Sequence, residues 1–245
     1  MINLLSTSCF SFPKHIGRVN EDSILPPTRV ADGYVFAVAD GLGSYKGAKD
    51  ASDLVISSLG KFKEFGSNTI DTLFHQMKEK VTQLSIDNEE FITAATTLTF
   101  CYVGKHGLNI GHIGDCRLYV CHGKKTRQLT IDDTQHQMLI DQKIFSARDL
   151  KDKPGKNILT TAISSRIDME YDNLFIPYDE LPIIDDVLTL YIMSDGAHHF
   201  WEKRPRFSES TMKNTSRFTA GLQRRIEKNG PVDDYSIVSI SISIS

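Results

Sequence analysis

Two apolar runs in this chain stop in the same way. VFAVADG (35 to 41) and LTLYIMSDG (188 to 196) each carry an apolar stretch into one aspartate, Asp40 or Asp195, and then into glycine. Apolar runs of that length read as strands buried on both faces. A carboxylate where such a strand stops is costly unless a donor or cation meets it. The glycine that follows removes the side chain that would block close approach of a ligand or ion. Any fold open to this chain has to bury both strands and still find partners for their terminal acids.

The rest of the chain supplies helices and further strands. Ile70, Leu73, Phe74, Met77, Val81 and Leu84 fall on one face at helical spacing, and an earlier helix over 46 to 62 turns Ala48, Ala51, Val55, Leu59 and Phe62 inward. Strands at 94 to 103, 108 to 113 and 116 to 122, with glycine turns between them, read as an antiparallel meander. A further hairpin turn, HGKK, leads into TRQLTI, and 187 to 194 is a buried strand. The C-terminal SIVSISISIS reads as a strand with one wet face. Segments 134 to 152 and 208 to 228 read as helical or irregular and surface-like. At 245 residues, with no repeat or linker, one domain over 1 to 245 is expected. Its class is α+β, antiparallel sheets carrying helices on their outer faces.

Several function classes are disfavoured at this point. A formal net charge of -3 gives no nucleic-acid footprint, and the densest basic run, Lys124, Lys125 and Arg127, reads as a solvated turn. No segment approaches the roughly 20 apolar residues needed to span a bilayer. The four cysteines, Cys9, Cys101, Cys116 and Cys121, match no zinc or redox spacing and read as reduced thiols. A soluble, cytoplasmic protein is expected.

Acids gather where apolar runs stop: Asn20-Glu21-Asp22, Asp40-Gly41, Gly114-Asp115, Asp195-Gly196 and Asp233-Asp234. Each alone is an ordinary turn or helix start. Jointly they form a set of hard oxygen ligands with too few basic neighbours in sequence to neutralise them, which points to Mg2+ or Mn2+ rather than zinc or copper. Two such ions can lower the pKa of a water and aim it at a phosphoryl centre, which is the chemistry of phosphoester hydrolysis.

The order of these blocks resembles the metal-dependent serine/threonine phosphatases of the protein phosphatase 2C family, in their compact bacterial form. The matching blocks are GRVNEDS (17 to 23), VFAVADGLGSYKGAKDAS (35 to 52), AATTLTFCYV (94 to 103), IGHIGDCRLYVCHGKKTRQLTIDD (110 to 133), KNILTTAIS (156 to 164), LTLYIMSDGAHHF (188 to 200) and DDYSIVSIS (233 to 241). The resemblance implies a four-layer αββα sandwich, two packed antiparallel sheets flanked by helices, with a two-metal centre at one end of the sheets. It implies that Asp40 bridges both ions and that the Gly41 carbonyl, Glu21, Asp22, Asp195 and Asp233 complete the set. Asp115 is implied as ligand of a third ion. It further implies in-line attack by a water or hydroxide held between the ions on phosphoserine or phosphothreonine, with no phospho-enzyme. Phosphoproteins of a bacterial-type serine/threonine kinase are the implied substrates, and a monomer the implied state.

Departures from the family pattern are local. The family arginine that takes phosphate oxygens stands four before the glutamate, whereas Arg18 stands three before Glu21; Arg18 is the best phosphate-binding candidate, with Lys14 or a local bulge as the alternative. Leu42 replaces a histidine that animal relatives use as proton donor. The usual glycine-glycine-histidine is Gly43-Ser44-Tyr45, and Asp234 stands where many members have asparagine. His198 and His199 read as a structural or partly exposed pair. The segment 134 to 156 corresponds to the family's flap beside the site, and a helical reading of it stays open. Two other functions compete with this one, a catalytically inactive binding or regulatory module and a two-metal nucleotide or nucleic-acid phosphoesterase.

Overall fold

Along the strand Gly33–Asp40, Val35, Ala37 and Ala39 face one apolar cluster while Phe36 and Val38 face another, all of them fully buried. A strand apolar on both faces sits inside a layered stack. The computed structural model describes residues 2–43, 46–66, 68–151 and 153–244, and these build four layers. In chain order they are strands β1 (Ile2–Phe12), β2 (Asp22–Val30) and β3 (Gly33–Asp40), then helices α1 (Ala48–Gly60) and α2 (Thr69–Asp87). Strands β4 (Ala95–Thr96), β5 (Leu98–Gly104), β6 (Gly107–Ile113), β7 (Arg117–His122) and β8 (Lys125–Gln128) follow. Short helices α3 (Gln135–Asp141) and α4 (Ala147–Leu150) lead to β9 (Ile163–Ser164), β10 (Asp172–Pro177) and β11 (Val187–Met193). Helices α5 (Asp195–Lys203), α6 (Glu209–Met212) and α7 (Thr215–Asn229) precede the last strand, β12 (Tyr235–Ile244).

The first sheet has strand order β1-β12-β11-β7-β8 and the second β10-β6-β5-β3-β2, with a small β4-β9 ladder beside them. All pairings are antiparallel. The sheets pack face to face over Phe36, Val38, Val103, Leu118, Leu190, Val238 and Ile240. Helices α1 and α2 cover the second sheet through Val55, Leu59, Leu73, Phe74 and Met77. Helices α5 and α7 cover the first through Phe200, Trp201, Phe218, Leu222 and Ile226. This is the expected αββα sandwich. Helix α1 begins two residues later than expected, because Gly47 takes a left-handed φ of 81° at its N-cap. Among the described residues no helix is long and apolar enough to cross a membrane.

Three expectations are corrected. The meander breaks after β6: β5 and β6 pair, but β7 lies in the other sheet, so HIGD is a crossover between sheets, with Gly114 at φ 104°. The serine face of β12 is dry. Ser239 and Ser241 are buried, and their hydroxyls bond within the sheet, Ser239 Oγ donating to the Ser8 carbonyl (2.7 Å) and Thr189 Oγ1 to Ser241 Oγ (3.2 Å). Serine alternation thus marks a polar strand face covered by protein, because small hydroxyls can satisfy themselves on neighbouring strands. Segment 208 to 228 is not merely surface, since α7 supplies a whole apolar face to the core.

Antiparallel register then collects the acids. Asp22 opens β2 directly opposite Asp40, which closes β3. Asp195 follows β11, and Asp233 precedes its partner β12. Asp115 occupies the crossover from β6 to β7.

Candidate metal centre

Backbone around Asp40 is fixed from three sides. Its N–H donates to Thr97 Oγ1 (3.0 Å), its carbonyl accepts from Thr97 N (2.8 Å) and Thr96 Oγ1 (3.0 Å), and the next residue's N–H reaches the Glu21 carbonyl (3.2 Å). Gly41 has no room for a side chain: a Cβ would stand 2.6 Å from the Ala48 carbonyl oxygen and 2.8 Å from that of Glu21. Asp22 is held by Ser194, whose hydroxyl donates to Asp22 Oδ2 (2.8 Å) and accepts from Ser236 N (2.9 Å). Asp234 ties the N-terminal loop to this end, its carboxylate accepting from the backbone N–H of Lys14 and of Glu21, both at 2.7 Å.

Glu21, Asp40, Gly41, Asp115, Asp195 and Asp233 line one cavity of about 430 Å³. Asp22 lies behind that lining, opposite Asp40 and 1 % exposed. Arg18 joins at the rim, its Nη2 2.8 Å from Glu21 Oε2 beside Gly43. All eight residues singled out from the sequence therefore meet at one end of the sandwich. Ser44 and Tyr45 lie outside the described residues.

Electrostatics in the cavity are one-sided. Burial pushes the Asp22 carboxyl up to about 7, against help from Ser236 and Ser194, with Asp195 and Asp234 adding to the rise. Asp195 is raised to about 6, first by burial and then by Asp233. Asp40 and Asp115 are held well above the usual carboxylate range, first by burial and then by neighbouring aspartates, Asp22 and Asp195 among them. Arg18 pairs with Glu21 at the rim, and two other basic groups nearby spend their charge on other acids. Arg117 forks onto Asp132 (2.7 and 2.6 Å) and reaches Glu202 (2.7 Å), and Lys49 pairs with Asp53 (2.9 Å).

Among the described residues no three His, Cys, Asp or Glu side chains close on a single point, so the acids stand as the walls of a cavity. Two observations test whether a metal would fit there. Among the described residues Asp22 Oδ1 and Asp195 Oδ1 are buried without a hydrogen-bond partner. Gly41 leaves backbone open at the same wall. An all-oxygen donor set, crowded with like charge and holding orphaned oxygens, suits hard divalent cations such as Mg2+ or Mn2+.

Some residues escaped the sequence reading. Ser194, Ser236, Thr96 and Thr97 orient the acids through bonds that span up to 172 residues, which no local pattern displays. The histidine pair divides into two roles. His198 is buried with Nε2 3.1 Å from the Asp115 carbonyl oxygen, while His199 opens on a second chamber of about 410 Å³ with Arg117, Lys156 and Lys203. That chamber shares Asp115, Asn157, Asp195 and Asp233 with the acidic cavity.

Comparison with known proteins gives the following. A family model described as Protein phosphatase 2C matches residues 14–230. The serine/threonine protein phosphatase PstP of Mycobacterium tuberculosis is 27% identical over 150 residues, covering 59% of this chain and 28% of that protein. The serine/threonine phosphatase stp of Listeria welshimeri is 27% identical over 171 residues, 66% of each chain. The chain thus spans less than two thirds of the length of both relatives. A solved structure of the PstP catalytic domain in complex with two manganese ions superposes with a TM-score of 0.74 at 20% identity, over 99% of this chain and 100% of that one.

Proposed function

The chain belongs to the protein phosphatase 2C family, and on that premise we propose that it is a metal-dependent serine/threonine protein phosphatase. The observation that carries this reading is the set Asp22, Asp40, Asp115 and Asp195, four acids all pushed towards their neutral forms in one enclosure. Buried like charge of that kind is strongly unfavourable in isolation and is resolved by a cation. Asp40, the Gly41 carbonyl, Glu21, Asp22, Asp195 and Asp233 would hold two Mn2+ or Mg2+ ions, and Asp115 a third. When bound, these ions supply positive charge to the phosphoryl oxygens and lower the pKa of the water that attacks phosphorus.

The side chains have three tasks. Arg18 orients the substrate: its guanidinium carries five N–H donors, and the one contact to Glu21 anchors it at the rim. Rival nucleophiles are kept out. Cys116, beside Thr97, is fully buried, and burial holds its thiol well above the ordinary cysteine value, so no thiolate forms near the cavity. Leu42 lines the cavity and has no proton to give. Asp234 and Ser194 position the acids through their hydrogen bonds to the Glu21 backbone and to Asp22.

Its substrates on this reading are phosphoserine and phosphothreonine proteins of a bacterial-type kinase, handled by a monomer in the cytoplasm with residues 134 to 156 as the flap. An inactive binding module is not favoured, because it would keep the buried acids at a cost to stability with nothing to show for them. Hydrolysis of a phosphothreonine peptide should require Mn2+ or Mg2+ and cease in excess chelator. Undiminished turnover in chelator would reject the proposal.

A further inference from the structure

Beyond the acidic end, a cluster of positive charge sits where α5 ends. Arg204, Arg206, Arg224, Arg225 and Lys228 line a basin of about 660 Å³, and among the described residues no acidic side chain lines it. Among the described residues none of the five makes a salt bridge. Sequence inspection misses it because two stretches about twenty residues apart contribute, the loop after α5 and the solvent face of α7. Arg225 is the keystone. It donates to the carbonyls of Phe200 (3.3 Å), Arg204 (2.7 Å) and Arg206 (3.2 Å), with its guanidinium carbon 4.3 Å from the Phe207 ring centroid. Arg204, Arg206, Arg224 and Lys228 surround it with exposed cationic heads.

Holding five cations together in a chain of net charge -3 calls for an anionic occupant. Position says which kind. Helix α5 starts at Asp195 in the acidic cavity and ends at Lys203, which lines the second chamber, while the next residue, Arg204, lines the basin. At about 1.5 Å per helical residue, Asp195 and Arg204 are about 14 Å apart. An extended peptide covers that in about four residues. Resting on the phosphatase reading above, we propose that the basin is a substrate-docking site for acidic residues, or a second phosphate, about four to six positions from the phosphoresidue being hydrolysed.

A nucleic acid fits less well, because the Phe207 face that could stack on a base carries Arg225. A membrane fits less well, because none of the exposed large apolar residues among those described lies in the basin.

The test is a triple variant, Arg204→Gln with Arg206→Gln and Arg224→Gln, which spares the Arg225 scaffold because only backbone carbonyls of 204 and 206 support it. With Mn2+, hydrolysis of p-nitrophenyl phosphate should match the wild type, which also reports folding. On a phosphothreonine peptide with acidic residues at the stated spacing, kcat/KM should fall about fivefold or more, and the loss should shrink as salt rises. A peptide with those acids replaced by amides should be cleaved equally by both proteins. A wild type that hydrolyses p-nitrophenyl phosphate but treats the two peptides alike would overturn the basin and leave the phosphatase reading standing. Binding of the acidic peptide without its phosphate, read by fluorescence anisotropy, gives a measure independent of turnover. Wild-type binding weakened in the triple variant supports the site, and equal binding overturns it. Tighter basin-dependent binding to RNA or to anionic vesicles than to the peptide would overturn the assignment of its occupant.

Discussion

Replacing Asp22 by asparagine should stabilise the metal-free protein while impairing its activity. The carboxyl sits at about 7 against an ordinary 3.8, roughly three units, which at about 1.4 kcal/mol per unit makes the ionised form cost about 4 kcal/mol. Because the folded value lies above the unfolded one, the sign is fixed. This group's penalty is absent below about pH 4, grows as pH rises towards 7, and is complete above it. Asparagine keeps an acceptor for Ser194 and turns a neutral amide towards Asp195 and Asp40 in place of the orphaned oxygen. A gain of about 2 to 4 kcal/mol follows, or about 4 to 8 °C in Tm for a chain of this size. Thermal unfolding in chelator should show that gain at about pH 8 and almost none at about pH 4. Mn2+ should stabilise the wild type more than the variant. A variant less stable than wild type at the higher pH, or a gain independent of pH, would refute the reasoning.

Other expectations concern single contacts. Arg18→Ala should raise KM for a phosphopeptide more than it lowers kcat; an unchanged KM in steady-state kinetics would return the residue to a surface role. Gly41→Ala puts a methyl 2.6 Å from the Ala48 carbonyl oxygen and should cost about 2 to 4 kcal/mol in urea unfolding, with activity lost as the wall shifts. Arg117→Leu takes from Asp132 its two charged hydrogen bonds and leaves it the amide of Gln128 at 3.2 Å. It should destabilise by about 3 to 5 kcal/mol, and adding Asp132→Leu should recover most of that.

Much of this molecule is legible along the chain, and the exceptions share a cause. Helices α1 and α2 announce themselves because their apolar faces repeat at short range. Asp40 and Asp195 announce themselves because a charge interrupts an apolar run. What the chain hides is which sheet a strand joins and what covers it. Residues 117 to 122 look like the next strand of a meander, yet Gly114 at φ 104° swings them into the other sheet, and that crossover places Asp115 at the cavity. Ser239 looks wet by pattern and is buried by partners more than two hundred residues away. Ser194 gives no sign that its hydroxyl steadies Asp22, since Asp22 lies 172 residues earlier. Arg18 stands one position off the family register, yet its ion pair with Glu21 brings the guanidinium to the rim.

The central claim is that the buried acids form a divalent-cation site, and direct binding of Mn2+, followed by loss of the free ion's paramagnetic signal, tests it most simply. Stripped wild-type protein should take up roughly two ions per chain near neutral pH, with uptake weakening as pH falls and protons compete for the acids. Asp40→Asn should lose most of that uptake. No binding by the wild type, or an unchanged stoichiometry and affinity in Asp40→Asn, would contradict the assignment.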